Sequence, residues 1–340
     1  MLKINMFSAA DSVKGQGVGS AYNELMGLMR TRLNKEFTVT VNQYGKADIS
    51  HYHTINFPYY LSTFLPGRGR KIGYVHFLPE TLEGSLKIPQ PFRGIFYRYV
   101  IAFYKRMDHI VVVNPTFIPK LVAYGIPEER VTYIPNFVSR EEFYPVDAAK
   151  KAELRRQYGV DDQAFTILGI GQIQERKGLF DFIKLAENNP TLQFIWAGGF
   201  SFGRITDGYA ALKKVVDNPP ANLRFPGIVD RDKLVDYYNL ADLFLLPSFN
   251  ELFPMSVLEA FSTGTPVMLR DLDLYHAIIA GDYAGAKDYA EMNQLLRTLP
   301  HDAAALDHWR HQSLAAADRY SEAHLTQIWR EFYTQQAKEG

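Results

Sequence analysis

Short apolar runs alternate with amphipathic stretches in the first half of the chain, with the periods of strands and helices. The first apolar run is followed by a glycine-rich turn and an amphipathic helix over Ala21–Leu33. The predicted strands are Leu2–Phe7, Thr38–Asn42, Lys71–His76, Ile110–Val113 and Val131–Ile134. Such alternation is typical of a parallel sheet that helices cover on both faces.

The pattern begins again after a polar stretch near 141–152. The predicted strands are Phe165–Gly169, Gln193–Ala197, Leu243–Leu246 and Pro266–Leu269, and the predicted helices are Leu179–Ala186, Leu234–Leu240 and Pro254–Ser262. We therefore predict an α/β protein with two doubly wound, Rossmann-like domains, 1–145 and 146–320, and a helix over 321–340 that packs back on the first. Ligands should bind in the cleft between the domains, at the carboxyl ends of the strands.

Length and cysteine content narrow the protein class. A chain of 340 residues is long enough for two domains of about 100–200 residues each. The absence of cysteine excludes a disulfide framework, a thiolate metal site and a cysteine nucleophile. We see neither a signal peptide nor an uncharged run of about 18 apolar residues, so we expect a cytoplasmic protein.

The charge is balanced overall but not along the chain. Residues 1–145 carry 17 basic and 11 acidic side chains, a net +6, and the remainder carries 20 and 26, a net −6. The basic residues between 64 and 107 are Arg68, Arg70, Lys71, Lys87, Arg93, Arg98, Lys105 and Arg106. Such a patch indicates either an anionic partner or an ordinary solvated face, and both interpretations stay open.

The strongest candidate site lies where a buried strand leads through a polar loop into a short helix. Pro254 opens this helix and Gly264 closes it, as helix boundary signals require. The amino end of a helix carries about +0.5 charge and free N–H groups, and both favour phosphate. The residues that present this end are Phe253, Pro254, Met255 and Ser256.

Two glutamates flank the same helix end. Glu251 lies in the loop, where it can reach a hexose beyond the phosphates, and Glu259 lies inside the helix, where it can accept hydrogen bonds from ribose hydroxyls. Taken alone, Glu259 could equally be an exposed helix carboxylate. The combination of both carboxylates with the helix end favours a nucleotide-sugar site.

A second loop follows the first strand of the second domain. It contains Gly171, Gln172, Arg176 and the pair Lys177-Gly178. Lys177 is placed to neutralise a diphosphate in the cleft. A lone Lys-Gly pair is usually a surface charge, so this interpretation depends on the 251–259 unit in the same domain.

A third set of candidates lies in the first domain. Gly15, Gly17 and Gly19 follow the first strand and let the backbone approach a ligand, or they form a flexible turn. Tyr22 stands where the dinucleotide fingerprint needs its last glycine, which argues against a nicotinamide oxidoreductase. His76 ends a strand and points to the cleft. His51 and His53 would share one face if they lie on a strand. The sequence offers no third metal ligand at a suitable spacing, so we do not expect a metal site there.

With these motifs the chain resembles glycosyltransferase family 4, a retaining family with the GT-B fold, from Ile4 to about Tyr333. The matching motifs are Glu251 with Glu259, Lys177-Gly178, Gly15 to Gly19, Ile134-Pro135-Asn136, Gly264 to Val267 and His76. The resemblance implies that the first domain binds the acceptor and the second a sugar nucleotide. One departure is Gln172, where many members have an arginine that contacts the donor phosphate.

The segments 5–25, 46–56 and 73–85 are similar to Gram-positive bacterial galactosyltransferases that extend glucosyl-diacylglycerol, a lipoteichoic acid anchor precursor. This similarity implies UDP-galactose as donor, a glycolipid acceptor and a peripheral position on the inner face of an anionic membrane. A UDP-glucose-dependent transferase acting on diacylglycerol or polysaccharide is the alternative. An inactive sugar-binding partner subunit is an alternative from another class.

Membrane contact has two candidate segments. In Pro91–Met107, the residues Phe92, Phe96, Tyr99 and Phe103 form an aromatic stripe typical of interfacial helices, although the opposite side is also apolar, as in a core helix. The second segment is the basic loop Gly67–Lys71. The candidate contacts are Arg68, Arg70, Lys71, Arg93, Arg98, Lys105 and Arg106.

The resemblance also implies a mechanism that retains the anomeric configuration. We expect Lys177 and the helix end to stabilise the leaving diphosphate, which is usually the largest catalytic contribution. His76 and Glu251 would orient the sugar, and Glu259 would bind the ribose. Asp271-Leu-Asp273 resembles a metal motif of another transferase fold, but we interpret it as a loop. We therefore expect no metal, no other cofactor and no nucleic-acid partner.

Overall fold

The computed structural model describes residues 1–10, 17–79, 90–201, 203, 206 and 208–340. The amino-terminal half forms a sheet of six parallel strands in the order β2-β1-β3-β4-β5-β6. Its strands are β1 Leu2–Phe7, β2 Phe37–Val41, β3 Ile49–Tyr52, β4 Arg70–Val75, β5 His109–Val112 and β6 Val131–Tyr133. Its helices are α1 Gly17–Thr31, α2 Phe57–Ser62, α3 Gln90–Lys105 and α4 Phe117–Ala123.

The carboxyl-terminal half forms a second sheet of six parallel strands, in the order β12-β11-β10-β7-β8-β9. Its strands are β7 Thr166–Ile170, β8 Gln193–Ala197, β9 Leu223–Gly227, β10 Leu243–Leu246, β11 Val267–Arg270 and β12 Ala284–Ala286. The helices of this half are α5 Ala148–Gln157, α6 Leu179–Asn188, α7 Tyr209–Asp217, α8 Arg231–Leu240, α9 Met255–Ser262, α10 Asp273–His276, α11 Tyr289–Thr298, α12 Ala303–Arg319 and α13 Glu322–Lys338. The prediction of two doubly wound parallel sheets is confirmed.

Each strand order reverses at one place, which locates the ligand crevice. In the first sheet the reversal lies between β1 and β3, and in the second between β7 and β10. The start of α1, with Gly17 and Gly19, comes after β1 in the chain, and the two polar loops of the second half follow β7 and β10. The topology therefore brings the candidate segments to the two crevices.

The last helix, α13, packs on the first sheet. The Tyr333 hydroxyl lies 2.7 Å from His51 Nδ1, and the Trp329 ring lies 5.9 Å from the Tyr74 ring. Both α13 aromatics are fully buried. The chain therefore ends by completing the core of its amino-terminal half.

Strand β3 is absent from the expected strands because its sequence, Ile-Ser-His-Tyr, looks too polar. All four residues are nevertheless buried. Most of their side-chain polar atoms have partners inside the protein: Ser50 Oγ donates to the Arg68 carbonyl at 2.6 Å, and His51 Nδ1 lies 2.7 Å from the Tyr333 hydroxyl, while His51 Nε2 has no partner among the described residues. Buried polar groups are tolerated when they are hydrogen-bonded, so composition alone is misleading here.

Candidate functional site

Two loops of the second half pack against each other, because β7 and β10 are neighbours in the sheet. Gly178 has a φ of 72°, and a Cβ at this position would collide with the Pro247 carbonyl. The Phe249 amide donates to the Arg176 carbonyl at 2.8 Å, and Arg176 Nη1 donates to the Asn250 carbonyl at 3.2 Å. Only glycine fits this close approach, which explains the Lys-Gly pair.

Lys177 and Glu251 form a buried ion pair between these loops, from Lys177 Nζ to Glu251 Oε1. Ser248 Oγ donates to the same oxygen at 2.7 Å. Burial lowers the pKa of Lys177, and Glu251 opposes that shift. Burial alone would raise the pKa of Glu251, but the charges of Lys177 and Arg176 outweigh burial and lower it. Glu251 therefore stays ionised beside Lys177, and a diphosphate would share Lys177 with Glu251.

Glu259 lies in the second turn of α9 with both carboxylate oxygens partnered. Arg231 Nη1 contacts Oε1 at 3.1 Å, and the Tyr238 hydroxyl donates to Oε2 at 2.7 Å. Only 3% of Glu259 is exposed, which excludes the interpretation as an exposed helix carboxylate. Its partners orient the carboxylate while leaving acceptor capacity for further hydroxyls.

The amino end of α9 is held by asparagines of the other half. Asn136 Nδ2 donates to the Phe253 carbonyl at 3.0 Å. Asn114 Nδ2 donates to the Leu252 carbonyl at 2.9 Å and to the Leu274 carbonyl at 3.2 Å. Pro254 is the N-cap, so α9 begins at Met255, one residue later than predicted. The helix end that favours phosphate is thus positioned from both halves of the chain.

The start of α1 lies opposite the start of α9. A Cβ at Gly17 would lie 4.0 Å from Met255 Cγ, and a Cβ at Gly19 would lie 3.2 Å from the Ala10 carbonyl oxygen. Two helix amino ends therefore meet at the cleft. Gly15, the first member of the predicted glycine turn, lies outside the described residues.

His76 follows β4 beside a group of buried aromatic rings. Its ring lies 4.4 Å from the Tyr74 ring and 5.9 Å from the His53 ring. Burial lowers the pKa of His76 to about 4, so the imidazole is neutral near pH 7. Within the described part of the chain, its Nε2 has no hydrogen-bond partner. A neutral imidazole with an unused nitrogen can bind a sugar hydroxyl.

Gln172 is buried, as Lys177 is, in the segment that follows β7. Its Nε2 is also without a hydrogen-bond partner among the described residues. The amide can donate to a phosphate oxygen but supplies no charge.

Metal ligation was predicted to be absent. No group of three or more histidine, aspartate or glutamate side chains in the described ranges is arranged to hold an ion. Asp271 Oδ1 accepts a hydrogen bond from the Tyr283 hydroxyl at 2.7 Å and lies 2.8 Å from His276 Nε2. The independence from metal stays a prediction.

The structure changes the set of membrane contacts. Arg68 is only 3% exposed, and its guanidinium donates to the carbonyls of Tyr44 and Gly45. The prediction that Arg68 meets a membrane is wrong, because the side chain serves as an internal brace. Arg70 pairs with Glu339 at 2.7 Å, and Lys71 pairs with Asp108 at 2.7 Å.

The other predicted contacts lie on α3 or just after it. Arg98 and Lys105 are exposed, while Arg93 and Arg106 are half-buried. Arg106 donates to the Thr63 carbonyl at 3.0 Å, and its guanidinium lies 4.1 Å from the centre of the Phe64 ring.

Sequence reasoning missed four residues of the site: Asn114, Arg231, Tyr238 and Glu24. Asn114 lies two residues after the end of β5, and a polar residue at a strand's carboxyl end could have identified it. The others lie on helices, and no local pattern separates them from ordinary polar residues.

Comparison with known proteins agrees with this geometry. The family model "Glycosyl transferases group 1" matches residues 150–299, and "Glycosyltransferase Family 4" matches residues 24–142. The chain is 53% identical over all 340 residues to alpha-galactosylglucosyldiacylglycerol synthase of Streptococcus pneumoniae, 91% of which is covered. It is 29% identical over 207 residues to processive diacylglycerol alpha-glucosyltransferase of Acholeplasma laidlawii, which covers 58% of this chain and 61% of that one.

Solved structures share the fold. HepE from Anabaena, in complex with UDP and glucose, superposes with a TM-score of 0.78 at 16% identity, covering 98% of this chain and all of that one. WaaG, a glycosyltransferase involved in lipopolysaccharide biosynthesis, superposes with a TM-score of 0.68 at 14% identity, covering 97% of this chain and 99% of that one. The full-length similarity, both family models and the paired parallel sheets show that this chain belongs to glycosyltransferase family 4 and has the GT-B fold.

Proposed function

We propose that this glycosyltransferase moves galactose from UDP-galactose to glucosyl-diacylglycerol at a membrane surface, with retention of configuration. The observation that carries the proposal is the 53% identity over the whole chain to a synthase of alpha-galactosylglucosyldiacylglycerol. Similarity of this extent includes the acceptor half as well as the donor half. The geometry of the cleft independently supports the proposal that the donor is a sugar nucleotide.

The donor site combines four features that suit a nucleoside diphosphate sugar. The amino end of α9 offers N–H groups and positive potential to the diphosphate. Lys177 has three N–H donors, and Glu251 uses one of them, so the remaining two are available to phosphate oxygens. Gln172, in the same loop, adds amide donors. Glu259, held by Arg231 and Tyr238, accepts the ribose hydroxyls.

The reaction then depends on electrostatic stabilisation of the leaving diphosphate. Lys177 and the α9 end are fixed in place before the bond breaks, so they need no reorganisation when charge develops. Glu251 binds hydroxyls of the hexose and keeps Lys177 oriented. Neutral His76 binds a sugar hydroxyl from the opposite half. We infer departure and attack on the same face, which retains the anomeric configuration, without a metal ion.

Reaching a lipid acceptor requires contact with a bilayer. Among the described residues no helix has the length and apolarity needed to span one. An apolar face on the first half, formed by α2, the turn after it and the start of α3, supports peripheral docking instead. Its members are between 51% and 66% exposed: Phe57, Leu61, Phe64, Leu65, Phe92 and Ile95.

Ring contacts join α2 to α3 at this face, and α3 also carries exposed basic side chains. Tyr60 lies 5.4 Å from the Phe64 ring and 5.5 Å from the Tyr99 ring, which joins α2 to α3. Arg98 and Lys105 are exposed on α3. Exposed apolar residues insert at the headgroup boundary, and each basic residue near an anionic leaflet adds about 1 kcal/mol. This face replaces the basic loop Gly67–Lys71 as the proposed docking segment.

A donor-by-acceptor assay with purified protein tests the proposal. UDP-galactose and UDP-glucose are each offered with diacylglycerol or glucosyl-diacylglycerol in anionic micelles. We expect lipid product only from UDP-galactose with glucosyl-diacylglycerol. Product from UDP-glucose and diacylglycerol would instead assign the activity named for the A. laidlawii relative. Slow hydrolysis of the UDP-sugar with no lipid product would refute the glycolipid acceptor.

A further inference from the structure

Arg231 joins three carboxylates from three different parts of the chain. It is the first residue of α8, and its Nη1 lies 3.1 Å from Glu259 Oε1 on α9. Its Nε lies 2.9 Å from Glu142 Oε2 in the segment between the sheets. Its Nη2 contacts Glu24 Oε1 on α1. The guanidinium therefore links the ribose-binding carboxylate of one half to a carboxylate of the other.

Glu24 is a buried member of this group. Its Oε2 accepts the Ser139 amide at 3.0 Å, so both carboxylate oxygens have partners. Glu24 lies on α1. This helix begins at Gly17, and Gly17 lies beside Met255 at the start of α9. One helix of the first half thus contacts both the α9 start and the residue that orients Glu259.

Arg231 is the one positive charge among the three carboxylates that it contacts, so its loss would leave their negative charges unbalanced. One guanidinium faces three carboxylates, an arrangement that would carry an excess of two negative charges if all were ionised. Burial raises the pKa of Glu24 to about 8, and the charges of Glu142 and Glu259 add to the effect, while Arg231 opposes it. This raised pKa lowers the negative charge that the group carries near pH 7. Loss of Arg231 would leave Glu259 buried with only Tyr238 as a partner, which is costly.

We propose that Arg231 is a positioning residue that orients Glu259 for the donor ribose and ties that carboxylate to Glu24, so that nucleotide binding and contact between the two halves favour each other. The inference rests on the proposed UDP-sugar donor. Coupling of this kind is reciprocal: the contact with Glu24 must strengthen nucleotide binding as much as nucleotide strengthens the contact.

The test measures UDP affinity by calorimetry, which needs no acceptor. We expect Arg231→Gln to weaken UDP binding about tenfold or more and Arg231→Lys to restore part of it. Glu24→Ala should weaken UDP binding several-fold although Glu24 belongs to the other half. Glu24→Gln should lie between Glu24→Ala and the wild type, because it keeps one acceptor oxygen but puts an NH₂ group in place of the other, and both oxygens accept hydrogen bonds, from Arg231 and from the Ser139 amide. In turnover assays the loss should appear in KM for the donor more than in kcat.

A matched control is Arg32→Gln. Arg32 also pairs with two carboxylates, Glu141 at 2.7 Å and Glu322 at 3.1 Å, but on the surface and away from Glu259. It should leave UDP affinity unchanged. The proposal is overturned if UDP binds the wild type while Arg231→Gln and Glu24→Ala lower only the unfolding temperature. A wild-type protein that fails to bind UDP would refute the donor assignment itself, a distinguishable result.

Discussion

Replacement of Lys177 by methionine separates a catalytic role from a structural one. The substitution keeps the chain length and removes the charge, so Glu251 is left buried without its ion-pair partner. Breaking a buried pair from one side costs about 3–5 kcal/mol. Because Ser248 still donates to Glu251 at 2.7 Å, we expect the lower end, about 3 kcal/mol in the free energy of unfolding.

The effect of Lys177→Met on the catalytic rate is expected to be distinct from its effect on stability. If Lys177 stabilises the leaving diphosphate, its removal takes away one fixed donor, which typically costs about 10²–10³-fold in kcat. The assay measures kcat at saturating donor, well below the unfolding transition, alongside denaturant unfolding. The double variant Lys177→Met/Glu251→Gln should recover much of the lost stability, because no unpaired charge remains.

Lys151 offers the matched control. Its Nζ pairs with Asp242 at 2.7 Å in the same half, on α5 and outside the two site loops. Lys151→Met should lower stability with kcat unchanged. The reasoning would be refuted if Lys177→Met lost about 3 kcal/mol of stability while kcat stayed within about threefold of the wild type.

Further predictions address the other parts of the site. Asn114→Ala should cost about 1–3 kcal/mol of unfolding free energy, because the carbonyls of Leu252 and Leu274 lose a buried donor, and it should raise donor KM; unchanged values in denaturation and kinetics would refute that role. The raised pKa of Glu24 stabilises the fold fully below about pH 4.5, and this contribution is lost as pH rises towards 8, so Glu24→Gln should show a flatter decline of stability between pH 5.5 and 8 than the wild type. Phe64→Ser should weaken binding to anionic vesicles with UDP affinity intact, whereas Phe180→Ser, an exposed phenylalanine of the other half, should not; equal vesicle binding by both would contradict the docking face. Activity should persist in EDTA, and complete loss that Mg²⁺ or Mn²⁺ restores would show a metal requirement.

The sequence by itself determined the type of fold and the segments that carry the donor site. Strand periodicity predicted β8, Gln193–Ala197, and β10, Leu243–Leu246, with their observed bounds. Pro254 and Gly264 predicted the limits of α9 to within one residue. These features depend on local periodicity and backbone preference, which neighbouring residues encode directly.

Only the tertiary structure decided which charged groups meet. Lys177 and Glu251 are 74 residues apart and come together because β7 and β10 are adjacent in the sheet. The sequence suggested a separate role for each residue, whereas the structure pairs them. Strand order depends on the packing of the whole domain, and no local pattern records it.

Burial was likewise decided by tertiary packing. The pattern of basic residues made Arg68 a surface charge, but its guanidinium braces the carbonyls of Tyr44 and Gly45. β3 looked too polar for a central strand, yet α13 brings Tyr333 to His51 across 282 residues. A polar side chain is stable inside a protein when distant backbone and side-chain groups satisfy its hydrogen bonds, and only the folded chain brings those groups together.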